Sequence, residues 1–486
     1  MKILRDMFED IRSVVGIQKY DQNISYVPSQ YLYTEQVDDG IIYYNSLSKA
    51  IALVENNDEF VPNEDLVKRW FFFSEDTDQY KFCSDLKSNM YHPQKLIDKP
   101  ESFVIFTTMG CNARCPYCYE KNYSNKIPMS DQIALDTAKW ILKKATSNFT
   151  VEFFGGEPTT NPKAIDIITD YLKENSKYNW SSSMISNGYL LDEIGADKLI
   201  NQWRIGHIQI TLDGIYDDYN SVKSFVYKNA NAFKKVINNI DLMIENNINI
   251  SVRLNVTKDN KEQLSKVVKY LNEHFMHNNT GMLSLYSYPV YKNEDETPWT
   301  EEERNLIYSN YIDIENEISL TCLAARNVDT TEWDAWKIYN CMGDRGNCYC
   351  ITPTGNLTIC EHHVNEEIVG SIYSDKMNED VLKKYIVHRE DIEDCKTCPF
   401  KPMCVYLMMC PGVPLCNAKL REYREQMVHR GIRKWYSEYL DSHSSNPVEG
   451  SNICFIDVAP TPNAIYLPES IPPEARQQDY KENIVQ

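Results

Sequence analysis

Cys111, Cys115 and Cys118 stand at CxxxCxxC spacing in the run GCNARCPYCYEK. Three thiolates on one tight loop can bind three irons of a 4Fe-4S cube and leave the fourth iron without a protein ligand. An all-cysteine cluster only moves electrons, whereas an open iron also binds a small molecule and delivers an electron into it. Zinc is the competing occupant, but structural zinc takes four protein ligands, commonly from paired CxxC arms. The three-cysteine loop therefore fits the cluster better. A second set, Cys341, Cys348, Cys350, Cys360, Cys395, Cys398, Cys404, Cys410 and Cys416, lies where Cys, Gly and Pro replace ordinary core residues. Such a stretch needs staples to fold. Eight thiolates would fill two four-cysteine clusters, although CxxC spacing serves zinc ribbons equally well. Cys83, Cys322 and Cys454 stand apart from any ligand spacing and read as buried hydrophobes or an exposed tail thiol.

The chain that must position these ligands has 486 residues, 42% of them hydrophobic, which favours two or more domains. A net charge of -20 argues against a nucleic-acid partner, which would need a concentrated basic face. The opening MKILRDMFEDIRSVVG mixes charges among its apolar residues, and no long uncharged apolar run follows, so neither a signal peptide nor a membrane partner is expected. Fifteen cysteines in a cytoplasmic chain point to metal or cluster ligation rather than disulfides.

From 101 to about 288 a β-rich run, a polar break and an amphipathic stretch alternate, the punctuation of βα units with a parallel sheet. Candidate strands cover 103–108, 150–154, 183–186, 207–212, 248–256 and 283–288, with helices over 131–145 and 230–245. The expected fold is α/β, a partial (β/α)6 TIM-like barrel. Before it, strand-like stretches at 30–33 and 40–44 and helix-like patterns at 46–54 and 63–70 form a small α+β module over 1–98. The barrel is expected over 99–300 and the Cys-rich iron-sulfur domain over 301–441. The tail 442–486, with SSNP, APTPN and SIPPEA, reads as extended or disordered.

With an aromatic residue, Tyr117, before its last cysteine, the first motif resembles that of the radical S-adenosylmethionine (radical SAM) superfamily. The resemblance implies that the cosubstrate's amino and carboxylate groups chelate the open iron and that one-electron reduction yields an adenosyl radical. The other expected cofactor residues sit at carboxyl ends of strands, where a barrel builds its site. Gly155, Gly156, Glu157 and Pro158 are similar to the family's GGEP motif, which contacts the methionyl amine; the glycines let backbone approach a ligand and the carboxylate can accept from an ammonium. Ser186 and Asn187 suit a ribose diol. Asp213 ends the fourth strand, and Arg253 and Asn255 on the fifth suit the methionyl carboxylate. Each alone also reads as a turn or a surface ion pair; one group per strand end, in order, makes that reading improbable.

The second cysteine set resembles the SPASM extension of the same superfamily. That resemblance implies two auxiliary 4Fe-4S clusters, three in all: one on Cys341, Cys348 or Cys350, Cys360 and Cys410, the other on Cys395, Cys398, Cys404 and Cys416. The family usually has three residues between the cysteines corresponding to Cys404 and Cys410, and VYLMM puts five here, which puts the last two assignments in doubt. Enzymes of this kind act mostly on peptides or protein side chains, and their auxiliary clusters accept the electron left after bond formation. The amino-terminal module resembles the winged-helix-like peptide-recognition domains that bind a leader segment by strand addition; an ordinary capping domain is the plain alternative. The implied partners are a leader-bearing precursor peptide and an electron donor such as flavodoxin or ferredoxin. The implied reaction is installation of a crosslink, a thioether before a carbon-carbon bond. In the similar anaerobic sulfatase maturases, which make formylglycine, an Asp base follows the cysteine corresponding to Cys360. Here Glu361 stands there as the catalytic candidate, one methylene longer and flanked by His362.

A non-catalytic iron-sulfur or zinc-stapled protein is the rival of another class. Iron and sulfide analysis of anaerobically purified protein separates them: roughly twelve irons per chain are expected for three cubes, and zinc alone would contradict the enzyme reading.

Overall fold

The computed structural model describes residues 1–6, 19–90, 99–122, 126–228, 231–276, 281–290, 299–323, 346–363, 367–384, 393–404, 416 and 418–443. Cys341, Cys410, Cys454 and the tail from 444 lie outside these residues.

The amino-terminal strands are β1 (Lys2–Arg5), β2 (Tyr26–Pro28), β3 (Leu32–Val37), β4 (Gly40–Asn45), β5 (Ile51–Glu55) and β6 (Phe72–Ser74). They form an antiparallel sheet in the order β1-β5-β4-β3 and a β2-β6 ribbon, with the helix Glu64–Val67 between β5 and β6 and the helix Gln79–Met90 after β6. The helix expected at 46–54 is absent. The Asn45 side chain accepts from the backbone N–H of Leu47 and Ser48 at 2.8 and 3.1 Å, and Lys49 takes a left-handed φ of 61°. That local turn diverts the chain into β5 before a helix can nucleate.

Six parallel strands follow in chain order: β7 (Ser102–Thr108), β8 (Phe149–Gly155), β9 (Trp180–Ser186), β10 (Ile205–Thr211), β11 (Asn249–Val256) and β12 (Leu283–Pro289). Each expected strand is present, and β9 begins three residues earlier than read, at Trp180. Beyond β7 the sheet continues through β13 (Cys348–Ile351), parallel to it, then β14 (Asn356–Thr358) and β15 (Gly370–Ser371), both antiparallel. Part of the Cys-rich region thus belongs to the same sheet as the six parallel strands.

Period-two alternation gives this sheet two different faces. Phe103, Ile105, Val151, Phe153, Met184, Ile208, Ile210, Val252 and Leu285 point to one side, into a continuous core with helices such as Asp131–Lys144, Pro162–Asn175 and Ala232–Glu245. The other side is polar and half-buried, carrying Glu152, Ser183, His207, Gln209, Arg253 and Tyr286. No helix among the described residues is long and apolar enough to cross a membrane.

The helix Ala418–His443 fastens the amino-terminal sheet to the second cysteine region. Its Met427, Val428, Ile432 and Tyr436 pack with Tyr33, Ile42, Tyr44, Ile51 and Leu53 of the sheet and with Phe400 and Met403 of the cysteine loop. Glu35 adds a polar clamp, accepting from His429 at 2.6 Å and from Arg433. Ile432 is fully buried in this seam, so Ile432→Ala should cost about 2–5 kcal/mol there. Limited proteolysis should show the amino-terminal sheet cut sooner in the variant than in the unmodified chain.

Candidate active site

The loop carrying Cys111, Cys115 and Cys118 leaves β7 and is held by the end of β8. Gly156 N–H donates to the Thr108 carbonyl at 3.0 Å and Glu157 N–H to the Gly110 carbonyl at 2.9 Å. This approach needs the two glycines: a Cβ on Gly156 would lie 2.3 Å from the Gly110 oxygen, and Gly155 has φ of +120° with Thr108 O 2.1 Å from the corresponding point. Inside the loop, Cys118 N–H donates to the Cys115 carbonyl and Ala113 N–H to Cys111 Sγ at 3.3 Å.

Burial dominates the chemistry of all three thiols. Cys111 is pushed up to about 12 by burial and then by the Glu157 charge, and Cys118 to about 11 by burial and then by Glu120. Cys115 is raised by burial against the opposing pull of Lys223. Without metal the three thiols hold their protons at neutral pH, so cluster binding must release them. Three half-buried thiols on one loop, beside backbone that only glycine permits, are the donor set that a 4Fe-4S cluster takes.

Glu157 is buried, and its carboxylate is largely occupied. Oε1 accepts from Thr159 N–H at 3.1 Å, from the Thr159 hydroxyl and from the Ser186 hydroxyl at 2.9 Å, and Oε2 from Asn187 N–H at 2.7 Å. A carboxylate offers about four acceptor positions, so an incoming ammonium would share Oε2. Pro158 starts the short helical turn that follows. Asn187 continues the network, donating to Asn112 Oδ1 at 2.6 Å and lying 4.0 Å from Cys111 Sγ. Tyr117 OH donates to Asp213 Oδ2 at 2.6 Å, and the same oxygen meets Lys223 Nζ at 2.8 Å. Asp213 Oδ1 and Asn112 Nδ2 are buried with no hydrogen-bond partner among the described residues. Arg253 Nε donates to Asn255 Oδ1 at 3.0 Å, and its guanidinium lies over the Tyr288 ring, 4.5 Å from the centroid.

The second cysteine region divides in two. Cys348 and Cys350, two residues apart on β13, are buried on one face with Val104, Phe106, Met109 and Phe154. Cys350 is raised well above the usual thiol value by a hydrogen bond with Cys348, then by burial, with Cys348, Glu361 and Cys360 adding their charges. Cys395, Cys398 and Cys404 lie on the loop against the helix Ala418–His443, where Cys398 is raised by burial and by Cys404 and Cys416. Arg424 reaches Cys404 Sγ at 3.4 Å and Arg421 reaches Cys416 Sγ at 3.9 Å. No three His, Cys, Asp or Glu side chains among the described residues group around a single metal-ion position. Glu361 opens a short helical turn beside the first loop, where His362 sets its ring against Tyr119 at 4.6 Å between centroids.

Two residues escaped the sequence reading. Lys223 lies ten positions beyond Asp213, a spacing that no local pattern marks. Glu152 had a signal: within FTVEFFG it alternates away from Val151 and Phe153, which places a carboxylate on the inner face. Ser183 donates to it at 3.1 Å. Burial and then the Glu361 charge push it up to about 7. A carboxyl raised on folding costs stability once the pH passes its unfolded value, and the cost grows until the folded value is reached. Glu152→Gln should therefore gain thermal stability relative to the unmodified chain as the pH rises from about 4.5 to about 7; a constant difference over that range would contradict the assignment.

Residues 105–271 match the Radical SAM superfamily. The chain is 19% identical over 278 residues to the radical SAM cyclopropyl synthase TigE of Paramaledivibacter caminithermalis, covering 52% of this chain and 57% of that protein. It is 25% identical over 193 residues to the cysteine-type anaerobic sulfatase-maturating enzyme of Clostridium perfringens, covering 37% and 49% respectively. The chain thus spans roughly half the length of these two curated relatives. Native anSMEcpe with bound AdoMet and Cp18Cys peptide has a similar fold, with a TM-score of 0.50, 18% identity, and coverage of 70% of this chain and 98% of that one. Residues 105–271, which hold the three-cysteine loop and its strand-end partners, form a radical SAM domain, the domain of a superfamily of enzymes.

Proposed function

We propose that this enzyme is a cytoplasmic peptide maturase that uses an adenosyl radical to abstract hydrogen from a ribosomally made precursor and installs a crosslink, a thioether first. What supports the reading is the position of β13. By pairing with β7 it sets Cys348 and Cys350 along one border of the polar inner face, while the loop with Cys111, Cys115 and Cys118 closes its carboxyl end. When bound, the first cluster supplies the electron that cleaves S-adenosylmethionine. Cys111, Cys115 and Cys118 would hold it, Gly155 and Gly156 would let backbone approach the cosubstrate, Ser186 and Asn187 would serve its ribose, and Arg253 with Asn255 its carboxylate. The auxiliary ligands are those named above, with Cys341 and Cys410 included.

Glu152, Gln209, Arg253 and Tyr286 give the inner face polar contacts for an extended substrate, and Tyr286 OH already donates to Gln209 at 2.5 Å. The outer strands of the amino-terminal sheet, β1 and β3, offer an edge to which a leader segment can add a strand. A flavodoxin or ferredoxin is the natural reductant.

Glu361 favours a second reading, oxidation of a Cys or Ser side chain to formylglycine, because it follows Cys360 and lies close enough to Glu152 to raise it. One incubation discriminates. Reconstituted enzyme, reductant and S-adenosylmethionine are mixed anaerobically with a short Cys-rich peptide encoded beside this gene. A mass loss of two hydrogens per crosslink, with the cysteine no longer alkylatable, supports the maturase; an aldehyde at the former thiol supports the alternative. No mass change contradicts both.

A further inference from the structure

Lys223 is the last residue of the helix Tyr216–Lys223, and its side chain is only 4% exposed. Nζ lies 2.8 Å from Asp213 Oδ2, whose side chain is 1% exposed, and 3.4 Å from Tyr117 OH, which donates to that same oxygen. The Lys223 carbonyl accepts from Arg114 N–H at 2.7 Å, so backbone and side chain both grip the 111–118 loop. Burying an ion pair costs desolvation that its own attraction does not readily offset, so a pair placed here should answer to a third charge.

Cys115 is that third group. It directly follows Arg114, whose N–H the Lys223 carbonyl accepts, and stands two residues before Tyr117, which the Lys223–Asp213 pair holds. When Cys111, Cys115 and Cys118 become thiolates around iron, the loop gains buried negative charge, and one-electron reduction adds more. A nearby cation favours the reduced state and a nearby anion opposes it, the usual way in which surrounding groups tune a cluster.

We propose that Lys223 is a positioning and charge-compensating residue of the first cluster: with Asp213 it fixes Tyr117, and it sets a buried positive charge beside the Cys115 ligand. This rests on the reading that Cys111, Cys115 and Cys118 hold a 4Fe-4S cluster. It also gives Asp213 a role in the protein's own framework, with Oδ2 committed and Oδ1 left as an acceptor.

The test is a redox titration, followed by electron paramagnetic resonance, of anaerobically reconstituted full-length protein, reading the cluster whose signal responds to S-adenosylmethionine. Lys223→Met should lower its reduction potential, Asp213→Asn should raise it by leaving Lys223 unopposed, and Lys223→Arg should stay near the unmodified value. A purely structural role would move Lys223→Met and Asp213→Asn alike, as lost iron without opposite shifts. Equal or same-signed potentials in the two loaded variants would overturn the proposal. If Lys223→Met takes up no cluster, an unshifted Asp213→Asn potential overturns it on its own. Unmodified protein that takes up no iron-sulfur cluster would instead overturn the underlying reading.

Discussion

The carboxyl ends of three strands meet at one buried carboxylate. Glu157, two residues beyond β8, accepts from Ser186 and Asn187 at the end of β9, and through its own N–H grips Gly110, two residues beyond β7. Hydrogen bonds to a buried charge are stronger than neutral ones, and leaving such a charge unpaired is costly. The network therefore favours the arrangement seen, and that arrangement fixes where the three-cysteine loop begins. Gly155 and Gly156 are part of the same constraint, since a side chain at either would push β8 away from Thr108 and Gly110.

Much of this was legible in the sequence because the two signals are local. CxxxCxxC lies within eight residues, and βα punctuation repeats over short windows, so the six strands and the ligand loop could be read without tertiary information. Gly-Gly-Glu-Pro was legible as a motif, yet its role in holding backbone to backbone emerges only when β7 and β8 are side by side. The helix expected at 46–54 failed for a local reason, the Asn45 turn. Strand β13 was hidden because CYCI was read for its thiols, while its alternation of Tyr349 and Ile351 against Cys348 and Cys350 also fits a buried strand.

Lys223 was beyond reach for a different reason. A buried lysine looks like any lysine in sequence, and only the packing of its helix against the loop reveals the ion pair with Asp213. The same holds for Glu152, whose carboxyl is perturbed by Glu361 from another part of the chain. Through β13 and the helix Ala418–His443, the second cysteine region is tied both to the radical SAM sheet and to the amino-terminal sheet. Three separate stretches of chain are thus tied to one another.

The proposed role of this loop is to arm S-adenosylmethionine for reductive cleavage. The most direct measurement is anaerobic incubation of the reconstituted enzyme with dithionite and S-adenosylmethionine, following deoxyadenosine and methionine by chromatography. Equal formation of both by the unmodified enzyme, and none by Cys111→Ala, is the predicted result. Intact S-adenosylmethionine in the presence of fully loaded, reduced enzyme would contradict it.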